Sequence, residues 1–261
     1  MRTVVIYGGS GAIGSAAAWQ FARQGDRVCL GARRVERAEA LASRIRAEGW
    51  QAEAFAVDVL DAALTADATA GLARRTGGID IVVNATSFLH DQGTPLEALT
   101  PDAFQGGFTP FLAAMFNIAK AAAPQMVGAR GGAILAVTAP AATLAVPGHL
   151  GHILGCAATE AFGRALAGEL GPRNIRVVCL RSHAIADAVE AGSFTAELFA
   201  PKARAAGLSV PEWLAGAAGT TLLNRLPTLA QVAGTLCFLA SDHAGSITGT
   251  VVNLTAGFTT D

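Results

Sequence analysis

The chain opens on a β-branched run, Val4-Val5-Ile6-Tyr7, that passes directly into Gly8-Gly9-Ser10-Gly11-Ala12-Ile13-Gly14 and then an alanine-rich helical segment. No other feature constrains the fold as strongly. Glycine permits a tight turn and a close backbone approach, and a helix starting just behind it presents its free N–H groups to whatever the turn encloses. Strand, turn and helix together form the first half of a crossover unit, which commits the next strand to lie parallel.

The same alternation continues along the chain. Strands are expected at Thr3–Tyr7, Arg27–Leu30, Ala52–Val57, Ile79–Asn84, Ala133–Thr138, Arg176–Leu180 and Thr250–Leu254. Most are continuous apolar runs, as strands covered on both faces require. Helical patterns fill the intervals: Gly14–Gln24, Val35–Glu48, Leu64–Arg75, Pro101–Val127, Leu150–Leu170 and Leu229–Ala240. The expected fold is therefore α/β: a doubly wound, Rossmann-type parallel sheet of seven strands with helices on both faces. The 261 residues form a single domain with a lid-like insertion over about 183–226. That insertion carries Phe194, Phe199, Trp213 and Leu214, with Pro201 and Pro211 as breakers, and reads either as a lid over an apolar substrate or as a helical hairpin that merely packs on the body.

Composition narrows the function classes. Nineteen basic residues against 20 acidic ones give a net charge of −1, which argues against nucleic acid as a partner. The segment from Gly131 to Ala158 lacks charge, but Pro140, Pro147 and its glycines break it, so no membrane span is expected. The four cysteines show no metal-ligand spacing, so no metal is expected and they read as small buried residues in a reducing compartment. With no leader-like segment at Met1–Ile6, the expected location is cytoplasmic. Only 15 % of residues are charged and 52 % are hydrophobic, which reads either as self-association or as a large alanine-rich core.

The glycine turn is suited to a diphosphate. Free N–H groups and the positive end of the helix dipole would meet the phosphates at Gly8, Ser10, Gly11, Ile13 and Gly14. The second strand ends in Arg33-Arg34, with no carboxylate before Glu36. Guanidinium pairs with phosphate, so NADP(H) is favoured over NAD(H); alternatively the two arginines only begin a solvated helix.

Taken together, these elements resemble the short-chain dehydrogenase/reductase family over almost the whole chain. The turn resembles TGxxxGxG, with Tyr7 for threonine and Ala12 at the middle glycine; Gly9 and Gly11 offer a shifted GxGxxG register. Asp58-Val59 resembles the acidic pair placed against adenine, and Val83-Asn84-Ala85-Thr86 resembles NNAG. Leu166–Leu170, Asn174–Val177, Phe238–Asp242 and Thr248-Gly249 are similarly typical. The resemblance implies a dinucleotide site that includes Asp58, Val59, Asn84, Ala85 and Thr86, a small-molecule substrate, and a homodimer or homotetramer built on the Pro101–Val127 and Leu150–Leu170 helices.

It also implies a tyrosine, a lysine, a serine and an asparagine that this chain does not place where the family does. Ala139 stands at the serine, beside Thr138; His152 stands at the tyrosine, Cys156 at the lysine, and Phe111 or Pro110 at the asparagine. The single tyrosine is Tyr7 and the lysines are Lys120 and Lys202, so no Tyr-x-x-x-Lys can be drawn. The candidate catalytic residues are His152, as acid or base, Cys156, as nucleophile, and Thr138, as a hydroxyl near the substrate. His149 and His183 lie within reach of the same crevice. Three functions follow: an NADP(H)-dependent oxidoreductase with a substituted proton donor, a redox-neutral dehydratase, isomerase or cyclase, or a catalytically silent nucleotide-binding protein.

Overall fold

A computed structural model of the chain describes residues 1–126 and 131–260. The elements run β1 (Thr3–Tyr7), α1 (Ala12–Arg23), β2 (Arg27–Ala32), α2 (Val35–Ala47), β3 (Ala52–Ala56), α3 (Ala62–Thr76), β4 (Ile81–Asn84), α4 (Pro101–Gly106) and α5 (Thr109–Ala122). They continue with β5 (Gly132–Thr138), α6 (Leu150–Leu170), β6 (Ile175–Ser182), α7 (Thr195–Ala205), α8 (Val210–Gly219), α9 (Leu229–Leu239) and β7 (Thr250–Leu254). The seven strands form one sheet in the order β3-β2-β1-β4-β5-β6-β7, and every pairing is parallel. The order reverses direction between β1 and β4, which opens a crevice beyond their carboxyl ends.

Side chains alternate between two cores. Val4, Ile6, Leu30, Leu135 and Leu180 face the layer of α1, α2 and α9. Val5, Tyr7, Val82, Ile134 and Val177 face α3, α5 and α6. This two-sided burial explains why the strands read as unbroken apolar runs.

One expected helix is two. The pattern over Pro101–Val127 is interrupted at Gly107–Phe108, between α4 and α5; its expected end at Val127 lies outside the described residues. The physical reason is a close crossing with α6. A Cβ on Gly107 would overlap the Gly151 backbone, one on Gly155 would overlap the Gly107 carbonyl, and one on Gly151 would stand 2.6 Å from the Phe104 carbonyl oxygen. The first turns of α6 thus press directly on the α4–α5 junction. That contact sets the position of every side chain at the start of α6.

The long excursion after β6 is a helical hairpin whose ends are tied together. Ala186 N–H donates to the Pro227 carbonyl at 2.9 Å, and Leu229 N–H donates to Asp187 Oδ1 at 2.8 Å. Phe199 on α7 stacks on Trp213 of α8 with ring centroids 4.7 Å apart. Pro201, expected to break the chain here, sits inside α7. Pro211 occupies the first turn of α8, behind a Ser209–Glu212 capping box, where a missing N–H costs nothing.

Further down, α6 is pinned to the sheet by a buried ion pair. Arg181 on β6 grips Glu160 through Nε and Nη2, both at 2.9 Å, and each side chain is 5 % exposed. Removing one partner strands a buried charge, so Glu160→Ala should cost about 3–5 kcal/mol in urea unfolding. Glu160→Leu combined with Arg181→Met should recover most of that loss; a double variant as unstable as the single one would contradict this account.

Candidate functional site

The glycine turn is shaped by backbone crowding at the switch point. Gly8 adopts φ +78°, and a Cβ there would stand 2.5 Å from the Ala85 carbonyl oxygen and 2.9 Å from the Thr86 nitrogen. A Cβ on Gly14 would overlap the Gly8 carbonyl and meet Gly9 Cα at 2.9 Å. Gly8 and Gly9 both donate to the Gly31 carbonyl, at 3.0 and 3.1 Å, and Ala85 N–H donates to the Tyr7 carbonyl at 2.9 Å. Gly9 is crowded as well, its Cβ position lying 2.9 Å from Leu30 Cβ, so Gly8, Gly9 and Gly14 all stand where a side chain would collide. Gly11 is exposed and caps α1 in an extended conformation without a side-chain hydrogen bond. The first turn of α1 consequently presents its N–H groups outward, beside Ser10 and Ile13.

The neighbouring residues line the same edge. Arg33 and Arg34 are exposed and form no ion pair among the described residues. Arg33 borders a hollow with Val57, Asp58, Leu64 and Asp67. The buried Val59 has its carbonyl held by Asn117 Nδ2 of α5 at 2.9 Å. Asn84 Oδ1 accepts from Thr86 N–H at 3.1 Å and from the Thr86 hydroxyl at 2.6 Å, which fixes the segment leaving β4 around Ala85.

Across the crevice, His152 sits in the first turn of α6, one turn before Cys156. Its ring stacks on His90, with centroids 4.5 Å apart and planes 19° from parallel. Cys156 Sγ lies 3.8 Å from both His152 nitrogens. Phe111 packs edge-on to His90 at 5.4 Å and to Phe88 at 5.2 Å, an aromatic cluster beside the stacked histidines.

The hydrogen bonds fix the charge states. His90 Nδ1–H donates to the Phe88 carbonyl at 2.7 Å, and its Nε2 accepts from the Gln92 amide at 2.8 Å. His149 Nδ1–H donates to the Pro147 carbonyl at 2.7 Å, and its Nε2 accepts from Lys202 Nζ at 2.9 Å. Lys202 also donates to Gln92 Oε1. A ring that donates at one nitrogen and accepts at the other is neutral. Burial lowers the pKa of both rings, with Lys202 adding to the effect. For His152, burial, reinforced by His90, His149 and Lys202, pushes the pKa down to about 3.

These environments bear on two expectations. Burial and the neighbouring cation keep His152 uncharged at neutral pH and make it a weak proton acceptor in this state. Cys156 is a poor nucleophile, because burial raises its thiol to about 11 and the reactive form is the thiolate. Thr138, at the end of β5, is buried beside the Cys156 thiol, on which its hydroxyl acts, and His183 Nε2 just beyond β6 is buried without a partner among the described residues. Tyr7 belongs to the core. Its hydroxyl lies 2.6 Å from Thr69 Oγ1, and burial raises it to about 12. His90, Gln92 and Lys202 were missed from the sequence. They fall in irregular or inserted segments, and only the scarcity of lysine in this chain could have drawn attention to one of them.

Among the described residues, no group of three His, Cys, Asp or Glu side chains is placed to hold a metal ion, and no helix is long and apolar enough to cross a membrane.

A parallel sheet in this order, with a glycine turn and an uncapped helix start at its switch point, defines a dinucleotide-fold protein. The family model described as enoyl-(acyl carrier protein) reductase matches residues 9–259. The chain belongs to the short-chain dehydrogenase/reductase family of oxidoreductases. Nodulation protein G of Rhizobium meliloti is 29 % identical, over 98 % of this chain and 96 % of its own. D-threitol dehydrogenase of Mycolicibacterium smegmatis is 27 % identical, over 99 % and 93 %. The fold matches a gluconate 5-dehydrogenase from Burkholderia cenocepacia, solved with NADP and tartrate, with a TM-score of 0.85 at 23 % identity over 98 % of this chain and 94 % of that one.

The neutral histidines carry a stability consequence. An unfolded histidine takes up its proton near pH 6.5, whereas folded His152 resists until about 3. Between those values the unfolded state binds more protons, so folding stability is intact above pH 6.5 and falls as the pH drops, by about 1 kcal/mol per unit for His152. In urea unfolding followed against pH, His152→Phe should show a shallower loss. An unchanged slope would mean that His152 titrates normally.

Proposed function

We propose that the chain is an NADP(H)-dependent oxidoreductase acting on a small molecule through a histidine-centred site in place of the family's tyrosine and lysine. The observation that carries this reading is that the Gly8–Gly14 cradle follows β1 and the His152–Cys156 pair opens the helix that follows β5, so both stand at the carboxyl edge of the sheet, on opposite sides of its switch point. The residues present suit the dinucleotide. The uncapped start of α1 suits a pyrophosphate, through Gly8, Ser10, Gly11, Ile13 and Gly14. The hollow beside Asp58, next to Val59, suits adenine, and the segment Asn84, Ala85 and Thr86 borders the crevice between the two halves.

Arg33 and Arg34 support NADP(H) over NAD(H), since two exposed guanidiniums stand where an acidic residue would select the unphosphorylated ribose. When bound, the dinucleotide supplies or accepts hydride. His152 would take the hydroxyl proton as an alcohol is oxidised once its pKa is raised by an anionic group that offsets Lys202. Cys156 packs beneath His152 as a thiol. The hairpin of α7 and α8 acts as a lid, because Lys202 ties it across to Gln92 and His149. The same neutral base favours, as a second reading, a redox-neutral proton abstraction such as an isomerisation or dehydration.

Fluorescence titration tests the cofactor. NADPH should bind more tightly than NADH, and Arg33→Ala with Arg34→Ala should remove that preference, worth about tenfold or more. Binding of neither nucleotide would defeat the NADP(H)-dependent reading. We also expect a cytoplasmic homodimer or homotetramer. Phe116 on α5 is 49 % exposed and Leu154 on α6 is 46 % exposed, an apolar strip of the kind a partner copy covers. Sedimentation should return a multiple of 26.4 kDa; a monomer at micromolar concentration would refute that expectation.

A further inference from the structure

The Lys202 ammonium is unusual in what surrounds it. It is partly buried on α7, and both of its hydrogen bonds go to uncharged acceptors, Gln92 Oε1 from the loop after β4 and His149 Nε2 at 2.9 Å from the start of α6. The ion pairs among the described residues are Arg2–Asp26, Arg46–Glu39, Arg75–Glu53 and Arg181–Glu160, and Lys202 belongs to none of them. Asp91, the one carboxylate that acts on Lys202 electrostatically, is committed instead to the Thr94 hydroxyl at 2.6 Å and the Thr94 N–H at 3.3 Å. Lys202 is thus a partly desolvated cation whose one interacting carboxylate is held by other donors, so an anionic ligand would add a direct ion pair.

The acceptors are held in place rather than free to swing. His149 is fixed through the Pro147 carbonyl, and Gln92 through His90, which is itself fixed by the Phe88 carbonyl. An ammonium has three donors, so with two engaged the third remains for a ligand. The stacked pair of His90 and His152 connects this point to the proposed reacting centre.

We propose that Lys202 is the anchor for a carboxylate on the substrate, so that the protein acts on a small hydroxy- or oxo-acid whose charged end lies at Lys202, Gln92 and His149 and whose reacting carbon lies by His152. This rests on the reading of the crevice as the substrate site, and it replaces the purely apolar substrate suggested by the aliphatic insertion. One compact ammonium, hydrogen-bonded only to the uncharged Gln92 and His149 among the described residues, matches a singly charged carboxylate.

The test uses the whole protein and a matched panel: straight-chain 4-oxo carboxylates and their methyl esters, titrated while the His149 and His152 ring protons are followed by NMR. Acids should shift His149 and bind about tenfold more tightly than their esters, a preference equivalent to about 1.4 kcal/mol. Lys202→Met should abolish the preference and Lys202→Arg should retain part of it. Equal binding of acid and ester, no shift at His149 with any acid at millimolar concentration, or a preference that survives Lys202→Met would each overturn the proposal. NADPH binding is measured alongside and should be unchanged in Lys202→Met. A wild-type protein that selects acids yet ignores NADPH would defeat the oxidoreductase reading and leave the carboxylate anchor standing.

Discussion

The whole crevice depends on three backbone segments meeting at one point. The turn after β1 must pass under the exit of β4, and the first turn of α1 must press on that same turn. Side-chain atoms are excluded there: a single Cβ at Gly8 or Gly14 would collide with main-chain atoms of Ala85, Gly8 or Gly9. With those positions fixed, the axis of α1 points its free N–H groups along the switch point, and the strands on either side diverge to leave room for a ligand. A second crowded contact, Gly107 against Gly151 and Gly155, does the corresponding work on the far side by seating the start of α6. The two glycine contacts set the two walls of the site.

The fold was largely legible because its signals are local. Continuous apolar strands, glycine turns and capped helices each declare themselves within a few residues, and all seven strands fall where the pattern places them, with ends shifted by a residue or two. The break between α4 and α5 was not legible. Gly106-Gly107 and Pro110 signal a break, but the strong apolar pattern on either side masked it, and the packing of α6 shows why the helix stops there. Pro201 failed as a breaker for the converse reason: α7 absorbs it because the hairpin's stability comes from Phe199 on Trp213 rather than from unbroken backbone bonding.

The site was legible only in its conserved-looking half, the glycine turn and the segments that follow β2, β3 and β4. On the other side, position could be read but chemistry could not. His152 and Cys156 share a helix face, and that spacing alone suggested an activated pair. The environment decides against it, because burial pushes the two groups in directions that keep both uncharged. His90, Gln92 and Lys202 come together from segments more than a hundred residues apart, a separation across which no local pattern carries information.

The histidines around Lys202 are held uncharged by burial and by the ammonium beside them. In the family's usual arrangement a lysine beside a tyrosine makes an acid more willing to ionise, because the cation favours the phenolate. Here a lysine also stands near the proton-active group, but that group is a histidine, whose ionised form is cationic. The same charge therefore acts with the opposite sense: Lys202, with burial, disfavours imidazolium and preserves a lone pair. A carboxylate arriving at Lys202 would offset that repulsion, so that the substrate itself would make His152 more basic at the moment a proton has to be removed. Substrate binding and base strength would then be coupled through one ammonium, which gives a physical reason for a chain without the family's tyrosine to retain a lysine on its inserted hairpin.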